Sequence, residues 1–242
     1  MYSKQEGCAL KYVISDIHGE YDRFISLLKK IHFSDADVLY VLGDVLDRGP
    51  KPIECILYMM KQPNMIPLIG NHEYMAMQCI PFLLQEITEE TINSLTVNQM
   101  GKILDWQYNG SKSTLSGFKA LDEETRKEVI EYLCSFELYK EVTAGATDYL
   151  LVHAGLGNFS PNRSIDDYDI DELVWDRPDY NTPYFNDIYT VTGHTPTFCI
   201  EGNLQPGFIY RANNHIAIDC GACFPEGRLA VLCLDTGEEF YS

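Results

Sequence analysis

The chain has 242 residues, 45% of them hydrophobic, and a formal net charge of −18 at pH 7. This length can bury a sizeable core without disulfide bonds, so we expect one domain over residues 1–242. The acidic charge argues against a nucleic-acid backbone as the main partner, because such binding needs clustered Lys and Arg. Residues 1–11 are polar and no apolar run reaches membrane-spanning length, so we expect a soluble cytoplasmic protein without membrane partners.

The first part of the chain alternates between strand and helix patterns. Short apolar runs predict strands at 12–14, 38–42 and 66–69. Between them, apolar residues at helical spacing predict two buried helices, one on Phe24, Leu27, Leu28 and Ile31 and one over 52–60. Such strand–helix–strand units predict an α/β fold with parallel strands.

From about residue 75 the strand signal disappears, and helical patterns follow at 74–86, 89–106 and 122–136. Asp122 is a candidate N-cap of the last helix. We therefore expect a helical insert at about 75–145. Strand patterns return at 148–152, 188–192, 215–218 and 229–234.

The eight cysteines do not form a disulfide framework in a chain this long. Most have apolar neighbours, which predicts reduced, buried side chains at Cys55, Cys134, Cys199 and Cys233. Cys220 and Cys223 form a lone CxxC, so a separate zinc or redox role for this pair is disfavoured.

Five polar blocks directly follow predicted strands, and four of the six histidines lie within them. The blocks are SDIHG at 15–19, GDVLDRGP at 43–50, GNHE at 70–73, HAG at 153–155 and GHTP at 193–196. Open α/β sheets build their sites at the carboxyl ends of strands. The blocks supply six oxygen or nitrogen ligands suited to two divalent ions, namely Asp16, His18, Asp44, Asn71, His153 and His194. The sequence therefore predicts a two-metal hydrolytic site.

Local geometry supports parts of this site. Asp16 and His18 are two residues apart, so both side chains face one ion if the strand continues through Ser15. Asp44 follows the next strand, where a carboxylate can bridge two ions about 3.5–4 Å apart. His72 begins a helix, and off the metal it can protonate a leaving group. A single DxH triplet or a lone buried histidine would be weak support for a metal site. Five such blocks, all at the ends of predicted strands, favour a metal site over a structural role.

The order and spacing of the blocks resemble the calcineurin-type metallophosphoesterases, specifically the PPP family of serine/threonine phosphatases in its short bacterial and phage form. The resemblance spans residues 12–235 and is weakest between 79 and 147. It implies a four-layer αββα sandwich, an α/β (α+β) fold, with the helical insert. It also implies one metal ion held by Asp16, His18 and a bridging Asp44, and a second held by Asp44, Asn71, His153 and His194.

The same resemblance implies the remaining roles. His72 would be the general acid, oriented by Asp47, and Arg48 and Arg177 would bind the phosphoryl oxygens with their planar guanidinium groups. A salt bridge between Arg48 and Asp47, and a surface position for Arg177, are the alternatives that the sequence leaves open.

In the implied mechanism, a hydroxide bridging the two ions attacks phosphorus in line with the ester oxygen, and His72 protonates the departing alkoxide. We expect Mn, with Fe or Zn as alternatives. The substrate is a phosphoprotein or a small phosphate ester. Other phosphatase chemistries lack their motifs: Cys223 and Arg228 have only four residues between them, and the first loop reads DIH instead of DxD.

The main rival is a symmetrical dinucleoside polyphosphate hydrolase, bis(5'-nucleosyl)-tetraphosphatase, which shares the metal core. That class typically carries alanine, aspartate and tryptophan where this chain has Asp47, Glu73 and Thr195. A non-catalytic binding scaffold is the third interpretation, but such relatives tend to lose the acid or the ligands. The sequence therefore favours a serine/threonine protein phosphatase, with substrate choice assigned to the helical insert and the aromatic-rich stretch 175–189.

Overall fold

The structure is a computed structural model that describes residues 9–83 and 88–242, without the side chains at 81–83, 91 and 92. Its strands are β1 (Lys11–Ile14), β2 (Val38–Val41), β3 (Met65–Pro67), β4 (Tyr139–Ala144), β5 (Thr147–Val152), β6 (Ile188–Thr192), β7 (Tyr210–Ala212), β8 (His215–Ala217), β9 (Ala230–Cys233) and β10 (Glu239–Tyr241). Its helices are α1 (Tyr21–Lys30), α2 (Pro52–Met59), α3 (Asn71–Leu83), α4 (Glu89–Asn93), α5 (Val97–Tyr108), α6 (Lys112–Ala120), α7 (Glu123–Cys134) and α8 (Ile170–Val174).

The strands form two five-stranded sheets within the described residues. The first has the order β10-β9-β1-β2-β3, and α1 and α2 connect its parallel pairs β1–β2 and β2–β3. The second has the order β4-β5-β6-β8-β7, with parallel β5, β6 and β8 between antiparallel β4 and β7. Parallel strands end at the same edge of a sheet, so the residues that follow them lie close together.

The two faces of β1 pack against different layers, because side chains alternate along a strand. Val13 lies in the apolar core between the sheets with Leu42 and Leu151. Ile14 instead packs in the core that contains helix residues such as Phe24 and Ile56. The sheets therefore pack face to face with helices outside them, which confirms the predicted α/β sandwich.

The helices between β3 and β4 form what we call the helical segment, Asn71–Cys134. The helix predicted at 74–86 begins earlier, at Asn71, and its predicted residues 84–86 lie outside the described residues. The single helix predicted over 89–106 is two helices, because Thr96 accepts a hydrogen bond from the backbone N–H of Gln99 and caps α5. The predicted cap of α7 is confirmed, since Asp122 accepts from the backbone N–H of Thr125 at 2.9 Å.

Several elements differ from the sequence prediction. Helix α6 is not predicted, and β4 occupies residues that the sequence places in the helical insert at 75–145. Strand β4 forms because its whole length pairs antiparallel with β5, a long-range contact that its mixed polar sequence does not signal. The short edge strands β7 and β10 are also unpredicted.

Cys55 and Cys233 are buried as predicted, but the prediction is wrong for Cys134 and Cys199, which are exposed. Cys134 ends α7 and Cys199 lies in a short 3-10 turn, so apolar sequence neighbours do not bury either thiol. Among the described residues, no helix is both long and apolar enough to cross a membrane.

Candidate metal centre and active site

The loops after five strands bring the six predicted metal ligands together. Four of them follow strands of the first sheet: Asp16, His18, Asp44 and Asn71. The other two, His153 and His194, follow β5 and β6 of the second sheet. His194 is half-buried and the other five are buried. The site therefore lies where the ends of the two sheets meet.

Asp44 stands between two groups of possible ligands. Its Oδ2 lies 3.5 Å from His18 Nε2, and its Oδ1 lies 3.4 Å from His153 Nε2. The first group contains His18, Asp44 and His72, and the second contains Asp44, His153 and His194. In each group the ligand atoms all lie within 4.8 Å of one another. Asp44 is thus placed to bridge two ions.

Backbone carbonyls fix two imidazole rings. The Nδ1 of His18 lies 2.8 Å from the Leu46 carbonyl, and the Nδ1 of His153 lies 2.5 Å from the Leu42 carbonyl. A carbonyl only accepts, so Nδ1–H is the donor in both pairs, and each Nε2 is the ring nitrogen turned toward the other candidate ligands. The Nε2 of His153 lies 3.0 Å from Asn71 Oδ1 and 3.4 Å from Asp44 Oδ1. An imidazole nitrogen and two side-chain oxygens thus lie together, a donor set that suits a divalent cation.

Charge in the site also fits cations. Burial raises the pKa of Asp44 well above its ordinary value, and nearby Asp16 and Glu73 raise it further. Burial lowers the pKa of His18 and of His194, which keeps both rings neutral. Neutral imidazoles and crowded carboxylates are the forms that bind divalent ions. The donor set therefore fits the two-metal prediction, although it does not identify the metal.

The route by which Asp16 and His18 meet differs from the prediction. Strand β1 ends at Ile14, and the two residues have φ angles of 51° and 45° in the left-handed region. They do not point to one face through a continued strand. Instead, backbone bonds hold the turn against the next loop, from Asp16 N–H to the Gly43 carbonyl and from His18 N–H to the Asp44 carbonyl.

Glu73 is a site residue whose role the sequence analysis missed. Its side chain is fully buried, and its carboxylate accepts from the backbone N–H groups of Asp44, Val45, Leu46 and Gly70 at 2.7–3.0 Å. These bonds fix the loop that carries Asp44. The sequence pointed to Glu73 only through its place in the GNHE block. There Glu73 was used to distinguish protein phosphatases from tetraphosphatases, and no structural role was assigned to it.

His72 and Asp47 form a buried pair, with His72 Nδ1 2.7 Å from Asp47 Oδ2 and neither side chain exposed. Burial raises the pKa of Asp47 to about 7, opposed by hydrogen bonds from Thr114 and Trp106. The His72 Nε2 lies 3.9 Å from Asp44 Oδ2, so geometry alone also admits His72 as a metal ligand. The bond to Asp47 matches the orientation expected of a general acid.

The structure does not pair Arg48 with Asp47. Its guanidinium instead contacts the Nε2 atoms of His18 and His72, each at 2.9 Å. Burial and the neighbouring Arg48 charge lower the pKa of His72, so its Nε2 accepts from Arg48 in this state. Arg48 thus lies beside the predicted metal ligand His18, and its binding of a phosphoryl group stays a prediction.

Arg177 is exposed, and its Nη1 donates to Thr195 Oγ1 at 3.0 Å. It borders a cavity of about 420 Å³ whose walls include Phe159, Asp176 and Tyr184. Thr195 belongs to the same block as His194, so this bond brings Arg177 to the edge of the cluster. The phosphate-binding role of Arg177 stays a prediction.

Residues 12–213 match the calcineurin-like phosphoesterase family. The chain belongs to this family. It is 30% identical over 226 residues to serine/threonine-protein phosphatase 2 of Salmonella typhimurium (strain LT2), with 90% of each chain covered. It is 33% identical over 148 residues to a symmetrical bis(5'-nucleosyl)-tetraphosphatase of Nitrosococcus oceani. This alignment covers 60% of this chain but only 43% of that relative.

A solved structure of a proposed diadenosine tetraphosphatase has a TM-score of 0.66 and 17% identity, covering 98% of this chain and 94% of its own. At that identity the likeness shows the fold alone. The family is one of metal-dependent hydrolases, so the chain is a metallophosphoesterase. The family and the fold predicted from the sequence blocks are both confirmed.

Proposed function

We propose that the protein is a serine/threonine protein phosphatase. One observation carries this proposal: Asp47 and His72 form a buried pair at 2.7 Å. An alkoxide from serine or threonine is a poor leaving group and needs a proton as the ester bond breaks. A polyphosphate leaving group needs that proton far less. The Asp47–His72 pair is therefore a general acid suited to a phosphoserine or phosphothreonine substrate.

The six predicted ligands would hold two divalent ions, for which Mn is our first expectation. When bound, the ions supply positive charge to the phosphoryl oxygens and activate water for attack on phosphorus. Because water and not a side chain would attack phosphorus, no phosphoenzyme would form, and the ester oxygen would leave on the side opposite the attack. Asp44 holds the two halves of the cluster at a fixed spacing, and Glu73 holds the Asp44 loop.

Arg48 would bind two phosphoryl oxygens with its planar guanidinium group and offset their charge during the reaction. When Arg48 turns from His72 to the phosphate, the Nε2 of His72 becomes free to take up a proton from solvent. Asp47 at Nδ1 stabilises that protonated ring. His72 then gives the Nε2 proton to the alkoxide oxygen, and Arg177, held by Thr195, would bind the phosphate from the exposed side.

The match to the Salmonella phosphatase, which covers 90% of each chain, supports this proposal. The tetraphosphatase remains the second candidate, because several relatives with that activity in their names match parts of the chain. The residues Asp47, Glu73 and Thr195 argue against it, and two of them form the contacts described for the acid and for Asp44. A cytoplasmic location stays a prediction.

The test compares kcat/KM for a phosphothreonine peptide and for diadenosine tetraphosphate in the wild type and in Asp47→Ala. We expect the wild type to prefer the peptide and Asp47→Ala to lose most of its peptide activity. Asp35→Ala, which changes an exposed aspartate, serves as the matched control. A wild-type preference for the dinucleotide above about tenfold, or 1.4 kcal/mol of transition-state stabilisation, would favour the tetraphosphatase instead.

A further inference from the structure

The helical segment contributes two side chains that hold Asp47. Trp106 in α5 donates its indole Nε1–H to Asp47 Oδ2 at 2.7 Å. Thr114 in α6 donates its hydroxyl to Asp47 Oδ1 at 2.5 Å and accepts from the backbone N–H of Asp47 at 2.9 Å. All three side chains are buried, with Asp47 completely enclosed. Both carboxylate oxygens are therefore fixed by donors more than fifty residues away in sequence.

The backbone around Asp47 also depends on the helical segment. Asp47 and Arg48 have φ angles of 69° and 65°, in the left-handed region that costs a residue with a side chain about 1–2 kcal/mol. The carbonyl of Gly110, between α5 and α6, accepts from the Arg48 N–H at 3.0 Å. A side chain at Gly110 would press against Arg48, whose Cγ would lie 3.1 Å from the added Cβ.

We propose that Trp106 and Thr114 are positioning residues that act on catalysis through Asp47. They hold its carboxylate in the one orientation that keeps His72 aimed at the leaving-group oxygen. The inference rests on the proposed role of the Asp47–His72 pair, and it gives the helical segment a function in the reaction. If these hydrogen bonds only held α5 and α6 to the core, removing them would lower the stability of the fold. The dependence of kcat on the leaving group of the substrate would then stay the same.

Two substitutions of Thr114 separate these possibilities. Thr114→Val keeps the shape of the side chain but removes the hydroxyl, whereas Thr114→Ser keeps the hydroxyl and removes a methyl group. Trp106→Phe removes the indole donor and keeps an aromatic ring. Phe118→Leu in α6 is the packing control, because Phe118 is buried beside these residues and makes no bond to Asp47.

Each variant is assayed with phenyl phosphate and p-nitrophenyl phosphate, which have similar shapes but need leaving-group protonation to different degrees. We expect Thr114→Val and Trp106→Phe to lower kcat for phenyl phosphate by about tenfold or more, with smaller losses for p-nitrophenyl phosphate and little change in KM. Thr114→Ser should stay within about threefold of wild type on both substrates. Phe118→Leu should lower thermal stability and leave the ratio of the two kcat values unchanged.

Asp47→Ala and the double variant Asp47→Ala with Thr114→Val complete the design. If Thr114 acts through Asp47, the double variant should be no slower on phenyl phosphate than Asp47→Ala alone. If Asp47→Ala changes the ratio of the two kcat values while Thr114→Val and Trp106→Phe do not, the positioning role of Trp106 and Thr114 is wrong. The proposed role of His72 as general acid would still stand. If Asp47→Ala itself leaves the ratio unchanged, the acid role fails and the positioning role fails with it. Metal content measured on every variant separates these effects from lost ions.

Discussion

Glu73 accepts a hydrogen bond from the backbone N–H of Asp44 at 2.7 Å, and both side chains are buried. Three further N–H groups share the Glu73 carboxylate, so one buried side chain fixes most of the loop that carries Asp44, the predicted bridging ligand. Burial raises the pKa of Glu73, and these N–H groups oppose that rise. Glu73 therefore supports the predicted metal ligand Asp44 through the backbone of its loop.

Glu73→Gln should both destabilise the fold and weaken metal binding. Its amide group replaces one acceptor oxygen with a donor that faces backbone N–H groups, leaving buried donors unpaired at about 1–3 kcal/mol each. Urea unfolding should show the lost stability, and calorimetry with Mn²⁺ should show weaker binding. Glu128→Gln, an exposed substitution on α7, should change neither. Unchanged metal affinity in Glu73→Gln would disprove the link between this loop and the ions.

Chelation should abolish hydrolysis without unfolding the protein, because the apolar cores do not depend on the ions. Adding Mn²⁺ to the chelated protein should restore activity and raise the melting temperature in a concentration-dependent manner. Circular dichroism of the chelated protein checks that the fold is retained. Full activity at zero measured metal content would rule out the two-metal mechanism.

Asp44→Asn and His72→Asn should have different consequences. Asp44→Asn removes the bridging charge, so metal content and turnover should fall together. His72→Asn should keep both ions and slow phosphopeptide hydrolysis by about 10²–10⁴, the usual range for a lost general acid. Metal analysis of the purified variants provides the comparison. Loss of an ion in His72→Asn would assign His72 to the metal, an arrangement that its distance to Asp44 also permits.

Gly43→Ala should be far more damaging than Gly145→Ala. Both glycines have positive φ angles, 82° and 61°, so alanine brings a similar backbone strain at each. At Gly43, however, the added Cβ would overlap the backbone of Gly70, whereas at Gly145 it meets open space. Gly145→Ala should cost only the strain of about 1–2 kcal/mol in urea unfolding. Equal losses in the two variants would contradict the close approach of the two metal-binding loops.

The pair Arg163–Glu172 gives a pH-dependent contribution to stability. The hydrogen bond from Arg163 lowers the pKa of Glu172 from its ordinary 4.5 to about 2. The folded state therefore favours the charged carboxylate, so this contribution is present above pH 4.5 and disappears as the pH falls toward 2. Arg163→Met should reduce stability at pH 7 and differ less from wild type as the pH falls below 4.5. A difference that stays constant with pH would exclude this linkage.

The sequence predicted that the six candidate ligands lie together because parallel strands bring their ends together, and the polar block after each of these strands is visible in the sequence. Their binding of metal stays a prediction. The sequence could not predict how Asp16 and His18 meet, because no sequence pattern indicates that a non-glycine residue will adopt a left-handed backbone conformation. Trp106 and Thr114 were missed for another reason. Helical periodicity identifies an apolar face, but it does not reveal that an indole or a hydroxyl on that face bonds a carboxylate in a distant loop.

Each sheet contributes predicted ligands, and His153 Nε2 from one lies 3.4 Å from Asp44 Oδ1 from the other. The distance between these two atoms is therefore set by how the sheets stack. Residues in the core between the sheets, such as Val13 and Leu151, contribute to that stacking. We therefore expect metal affinity to depend on the alignment of the sheets, so that repacking the middle of the sandwich would tune ion binding while every predicted ligand stays in place.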